Sequence, residues 1–407
     1  MSKLIINIKE LVQIRDKSTP FVSAKEMDYL PTISNAFLLI KDGKISDFGK
    51  MSEVPKNNDV EIIDADHKII LPAWCDSHTH CVFSGNRSDE YIQRIKGLSY
   101  EEIAKKGGGI LKSSAQINNI SEDDLFSESK KRINNLISHG TGSLEIKSGY
   151  GLNYEGELKM LKVIDRLKNS LPINIKSTFL GAHAVPNGIS KKKYFDSIIN
   201  RMLPDFANKK LIDFVDIFCE KNYFSTEDLS ILLKEAKKFS IPSKVHVNQF
   251  NSIGGIKVAV ENNALSVDHL ETIQDDEINI LKHSKTMPVF LPGCSFFLGI
   301  NYAPAKKFIS NGIPFAIATD FNPGSCPSGN MNFILSLACN KLKLTTEQAI
   351  NAATMNGAYA MGISSSAGSI SKGKSANLII TKKINSINDL PYYYADNLID
   401  RVIIEGN

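Results

Sequence analysis

The sequence is poor in the features that mark several protein classes. Its 407 residues include 26 Gly and 15 Pro, too few for a fibrous or low-complexity chain, and a 42% hydrophobic share excludes disorder. No sign of charge dominates. Lys and Arg number 48 against 44 Asp and Glu, and the resulting +4 is spread thinly. The longest basic run, Lys191 to Lys193, lacks interleaved aromatics and reads as a solvated face, so no nucleic-acid partner is expected. The six cysteines (75, 81, 219, 294, 326 and 339) form no Cys-x-x-Cys pair, which suits a reducing compartment. The N-terminal apolar stretch is too short for a signal peptide. The uncharged run 286–305 is broken by Pro288, Pro292, Gly293, Gly299 and Pro304, so a strand plus loop is expected there and no membrane helix. A soluble, cytoplasmic protein without a membrane partner is the expectation.

The two chain ends are β-rich. Short aliphatic runs over the first seventy residues are punctuated by turn signals, among them Asp42-Gly43, a strong hairpin cue, and the last fifty residues follow the same style. Between them, apolar strands alternate with amphipathic helices. Strands are expected over 68–75, 141–146, 173–180, 214–218, 243–247, 265–267, 287–291 and 315–318. Ser99 to Glu102 reads as a capping box whose helix stops at Gly107–Gly109. Ser121 opens a second helix that ends near Gly140, and Ser225 with Asp228 opens a third. About eight strand–helix pairs predict an α/β fold, a (β/α)8 TIM-like barrel over 71–360. Residues 1–70 and 361–407 would together form a small discontinuous β-sandwich domain. An open doubly wound sheet is disfavoured, because no Gly-x-Gly-x-x-Gly follows the first strand. A chain of this size buries roughly three quarters of its surface without a folding metal, so any metal would serve chemistry.

The chemistry gathers at predicted strand ends. His78 and His80 are two apart and can face one side. His183, His246, His269 and Asp320 occupy equivalent places, whereas His67, His139 and His283 fall in turns or on helix surfaces. Buried imidazoles and a carboxylate are costly to cluster without a ligand. Imidazoles with one carboxylate suit Zn or Fe, and such an ion with one open position brings the pKa of bound water toward 7. Lys147 could, as a carboxylated lysine, bridge two metals, but its flanks read as a loop presenting Tyr150, so one metal is expected. Gly107–Gly109 lacks the Lys-Ser/Thr of a phosphate loop and reads as a flexible loop at the site mouth. Cys75 and Cys81 flank the His pair and are expected to pack, not ligate.

Several segments together resemble the metal-dependent amidohydrolase superfamily and, within it, the imidazolonepropionase family: Asp76–His80, Gly85–Glu90, Gly107–Ile110, Glu145–Gly151, Thr178–Ala184, Asp268–Glu271 and Thr319–Gly324. The resemblance covers nearly the whole chain. It implies metal ligation by His78, His80, His246 and Asp320, with one Zn or Fe ion per subunit. It implies substrate contacts from Arg87, Tyr150, His183 and Gln249, and contacts to the opened product from Asn322, Gly324 and Ser325. His269 matches a catalytic histidine, and Asp320 is expected to shuttle the proton of the metal-activated water. The implied reaction is hydrolysis of the ring amide of 4-imidazolone-5-propanoate in histidine degradation, by a homodimer. Another cyclic-amide hydrolase or a nucleobase deaminase is the alternative. Ala73, Ser77 and Asn248 depart from the family pattern, and Asn248 puts the surroundings of His246 in question.

Overall fold

A computed structural model describes residues 2–55, 60–99, 102–103 and 106–407. Among these residues the strands form two sheets. The first is mixed and draws on both chain ends: β1 (Lys3–Val12), β2 (Thr32–Lys41), β3 (Lys44–Lys50), β4 (Glu61–Asp64) and β5 (Ile69–Pro72) join two strands from the far end of the chain, Leu378–Thr381 and Ile399–Ile403. The β2–β3 turn is Asp42-Gly43 with φ of 50° and 73°, the left-handed pair that a two-residue hairpin needs. Ile5, Ile8, Ile70, Leu378 and Ile380 fill the core of this sheet.

The second sheet is parallel and eight-stranded. Its order is sequential through β6 (Trp74–Asp76), β7 (Thr141–Lys147), β8 (Asn174–Ala182), β9 (Phe214–Cys219), β10 (Lys244–Val247), β11 (Ser266–His269), β12 (Met287–Phe290) and β13 (Ala316–Ile317). The two C-terminal strands of the mixed sheet are therefore β14 (Leu378–Thr381) and β15 (Ile399–Ile403). Closure comes beyond the named strands. Thr79 pairs with Phe321, His80 N donates to Phe321 O at 2.9 Å, and Asp320 N donates to His78 O at 3.0 Å. The seam of the cylinder thus runs through His78, His80 and Asp320.

The strand expected over 68–75 is two strands. Pro72 lacks an N–H, and at the next residues the bonding changes sides: Ala73 N donates to Asn377 O in the mixed sheet, and Trp74 N to Gly140 O in the barrel (both 2.9 Å). The chain passes between sheets within three residues. Leu144, Ile146, Val215, Ile217, Val245 and Val267 bury the barrel's strands against its helices, as a parallel sheet covered on its faces requires. Ser121 Oγ caps the helix Glu122–Ser138, and Ser225 with Asp228 forms the capping box of Thr226–Lys238. Ser99 and Glu102 exchange the expected capping bonds, although part of the helix they open lies outside the described residues. The loop expected after β12 holds a helix, Pro292–Leu298, with proline at its first position where no donor is lost. No helix among the described residues is long and apolar enough to cross a membrane.

Candidate metal centre and active site

His78, His80, His183, His246, His269 and Asp320 all sit at the C-terminal mouth of the barrel, in or just beyond their strands. The Nε2 atoms of His246 and His80 face one another at 3.4 Å. Asp320 Oδ1 lies 3.5 Å from His80 Nε2 and 3.6 Å from His78 Nε2. His78 Nε2 is buried and has no hydrogen-bond partner in the protein. Among the described residues three trios of donors are compact enough to share an ion: His78–His80–Asp320, His78–His246–His269 and His269–Glu271–Cys294.

Carboxylates behind the ring set which nitrogen faces inward. His78 Nδ1 donates to Asp268 Oδ2 at 2.6 Å, and Asp216 Oδ2 lies 2.8 Å from His246 Nδ1. With the proton on Nδ1, each Nε2 presents a lone pair to the same space, the second-sphere arrangement of a metal-binding histidine. Burial, reinforced by neighbouring positive groups, holds His78 and His80 well below the ordinary histidine range and His183 down to about 3. His246 is lowered as well, because burial outweighs Asp216. Neutral imidazoles are what a cation binds. His269 is the exception: burial opposes its charge, but Glu271, Asp320 and Asp268 prevail and raise it. Its Nδ1 lies 3.4 Å from Glu271 Oε1. Burial pushes the Asp320 carboxyl up to about 6. His269 (φ 90°), Leu270 (71°) and Asp320 (55°) all occupy left-handed backbone. An orphaned buried imidazole nitrogen and a donor set of nitrogens plus one carboxylate oxygen fit a divalent transition ion.

Lys147 is fully buried, and its Nζ donates to Glu145 Oε1 and Asp216 Oδ2, both at 2.8 Å. Burial works against its charge, yet Asp216, Glu145 and Asp268 raise its pKa overall. Its ammonium anchors Asp216, the carboxylate behind His246. Cys75 and Cys81 pack in the interior, where burial pushes both thiols up to about 12.

Beside the imidazoles lies a small cavity of about 30 Å³. Arg87, Ile110, Tyr150, His183 and Gln249 line one part of it, with Asn322 and Ser325 next to Asp320. The loop that carries Tyr150 is held by a carboxylate. Glu157 accepts from the N–H groups of Gly149 (3.0 Å), Gly151 (2.7 Å) and Leu152 (2.9 Å), folding the loop that carries the ring. Gly149 O accepts from His183 Nδ1 at 3.0 Å, so the same loop orients His183. Asn322 Oδ1 accepts from Gly324 N and Ser325 N, while Ser325 Oγ donates to Asp320 Oδ2 at 3.1 Å. Gly324 does not line the pocket. It lies against the Arg87 guanidinium, where a Cβ would come within 2.0 Å of Nη1. Gln249 Nε2 donates to Cys294 Sγ at 3.3 Å, and Asn248 is tied to Glu277 Oε2 at 2.7 Å.

Sequence reasoning gave no role to Asp216, Asp268, Glu271, Glu157 or Glu90. Asp216 carried a signal, a lone carboxylate inside the apolar strand Phe214–Cys219. Glu157 did not, since on sequence it is one more acidic residue in a helix.

A family model described as the amidohydrolase family matches residues 69–407. A curated relative named imidazolonepropionase, from Flavobacterium johnsoniae, is 55% identical over 408 aligned residues, covering 100% of this chain and 99% of its own. Another of that name, from Christiangramia forsetii, is 54% identical with the same coverage. One from Clostridium tetani is 39% identical over 94% of this chain and 92% of its own. Among solved structures, guanine deaminase from C. acetobutylicum superposes with a TM-score of 0.73 at 17% identity, covering 100% of this chain and 99% of its own. Atrazine chlorohydrolase from Arthrobacter aurescens, complexed with zinc, gives 0.73 at 13% identity over 99% of this chain and 94% of its own. At those identities the structures share the fold.

Proposed function

The chain belongs to the amidohydrolase family and, within it, to the imidazolonepropionases, and on that premise we infer that it is a metal-dependent hydrolase that opens the ring amide of 4-imidazolone-5-propanoate with water, giving N-formimidoyl-L-glutamate in histidine degradation. The observation that carries this reading is 55% identity sustained over the whole chain.

In this reading His78, His80, His246 and Asp320 hold one Zn or Fe ion per subunit; their nitrogen and oxygen donors suit either. When bound, the ion supplies Lewis acidity, bringing the pKa of a water toward neutrality and polarising the ring carbonyl. The chain's own residues do the rest. Arg87 binds the propionate tail through paired charge-assisted hydrogen bonds. Tyr150, His183 and Gln249 orient the ring. Asp320 takes the proton of the attacking water and returns it to the ring nitrogen as the carbon–nitrogen bond breaks, so the carbonyl carbon leaves as a carboxylate. His269, biased toward its protonated form by Glu271, stabilises the oxyanion on the former carbonyl. Asn322 and Ser325 hold the opened product, while Gly324 lies against the Arg87 guanidinium. The scattered cysteines, with no Cys-x-x-Cys pair, suit a cytoplasmic setting, and a homodimer, which the family resemblance implies, is the working assembly in this reading.

The test is turnover of 4-imidazolone-5-propanoate by the metal-loaded protein, with N-formimidoylglutamate quantified as product. Stoichiometric product supports the reading. Turnover of guanine, cytosine or a hydantoin in its place overturns it.

A further inference from the structure

The run Gly107-Gly108-Gly109 lacks the Lys-Ser/Thr of a phosphate loop, and its place in the fold gives it another task. The side chain of Glu90 is buried and divides its two oxygens. Oε2 accepts from Arg87 Nε at 2.8 Å, and Oε1 accepts from Gly109 N at 3.1 Å. Each glycine meets a separate demand of that contact. Gly107 (φ 85°) and Gly109 (φ 71°) hold left-handed backbone that side chains resist. A Cβ on Gly108 would meet Ile103 Cγ2 at 2.7 Å and Glu90 Oε1 at 3.1 Å. Ile110, the next residue, lines the pocket together with Arg87.

We propose that Glu90, seated by the glycine run, is a positioning residue for carboxylate recognition: it fixes the Arg87 guanidinium against Gly324 and ties that cation to the pocket wall at Ile110. This rests on the reading of Arg87 as partner of the substrate's tail. A guanidinium on a flexible stem loses affinity for each degree of freedom it must freeze, and a second carboxylate on Nε freezes most of them in advance. Glu90 also makes a competing prediction for itself. As a simple counter-charge it would repel an incoming carboxylate, so its neutralisation would tighten binding. As a positioning group, its loss weakens binding.

Glu90→Gln separates the two. An amide has one acceptor oxygen, so it must give up either Arg87 Nε or the Gly109 N–H. The expected result is a KM for 4-imidazolone-5-propanoate raised about tenfold or more, kcat within about threefold, and unchanged metal content. The analogue with a propionamide tail should show little change, so discrimination between the two tails collapses. Binding of glutarate, an unreactive carboxylate probe, to the metal-loaded protein should weaken by a similar factor, a reading that needs no turnover. If Glu90→Gln does not fold, Gly108→Ala, which crowds the same oxygen, carries the test and should raise KM in the same direction. Unchanged or lower KM and glutarate Kd, or equal losses on both tails, overturn the proposal. Failure of the parent protein to turn over the propanoate while glutarate binding still depends on Glu90 would instead overturn the assigned activity alone.

Discussion

Asp268 Oδ2 and His78 Nδ1 stand 2.6 Å apart with both side chains fully removed from water. Asp268 lies two residues past Ser266, whose hydroxyl donates to its other oxygen, so the carboxylate cannot rotate away and the imidazole is fixed with Nε2 toward Asp320. Asp268→Asn keeps an acceptor but discards the charge that stabilises the ligating tautomer. Metal affinity is expected to fall about 10–100-fold, measured by competition with a chelator; unchanged affinity would remove Asp268 from the site.

Arg87→Ala should lower kcat/KM for the propanoate substrate by about 10²–10⁴, the loss of two charge-assisted hydrogen bonds, with metal content intact. Steady-state kinetics beside metal analysis decides this. A change below about tenfold would mean that the tail is bound elsewhere.

Gly324→Ala is a steric test of the same clamp. Its backbone is not left-handed, so the substitution strains nothing locally, but the new methyl would lie 2.0 Å from Arg87 Nη1. The guanidinium must move. KM is expected to rise with little loss of thermal stability, and an unchanged KM would show that Arg87 does not need this seat.

Asp320→Asn should cut kcat by about 10²–10⁴ in protein that still carries its ion, because the amide cannot accept the water's proton. A near-normal rate with metal bound would end the shuttle role.

Lys374 gives a stability signature. It is buried, donating to Ala367 O at 3.1 Å and Ser369 Oγ at 2.7 Å, and burial lowers its pKa from 10.5 to about 8. A base whose folded pKa is depressed destabilises the fold fully below the folded value and ceases to do so above the unfolded one. Stability from this group therefore rises with pH between about 8 and 10.5, by about 3 kcal/mol in all. Denaturant titrations of the parent protein and Lys374→Met should show the parent gaining on the variant across that window. A constant difference would contradict it.

Much of the fold was legible because parallel strands buried on both faces read as apolar runs, and the capping residues Ser121 and Ser225 mark the helix starts. The division of 68–75 was not. Ile69 and Trp74 are equally apolar, and only the absent N–H of Pro72 and long-range partners at Gly140 and Asn377 send them to different sheets. The imidazoles of the site were legible because histidine is rare here and five of eight fall at strand ends. Their supporting carboxylates were not, since Asp216 and Asp268 acquire meaning only through neighbours 30 and 190 residues away.

The central claim is that His78, His80, His246 and Asp320 share one ion. Anomalous diffraction from crystals of the metal-loaded protein, collected at the absorption edge of the metal found by elemental analysis, tests it most directly. The account predicts a single peak at about 2.0–2.2 Å from the three Nε2 atoms and the Asp320 oxygen. A second peak beside Lys147, or a lone peak away from these four side chains, would contradict it.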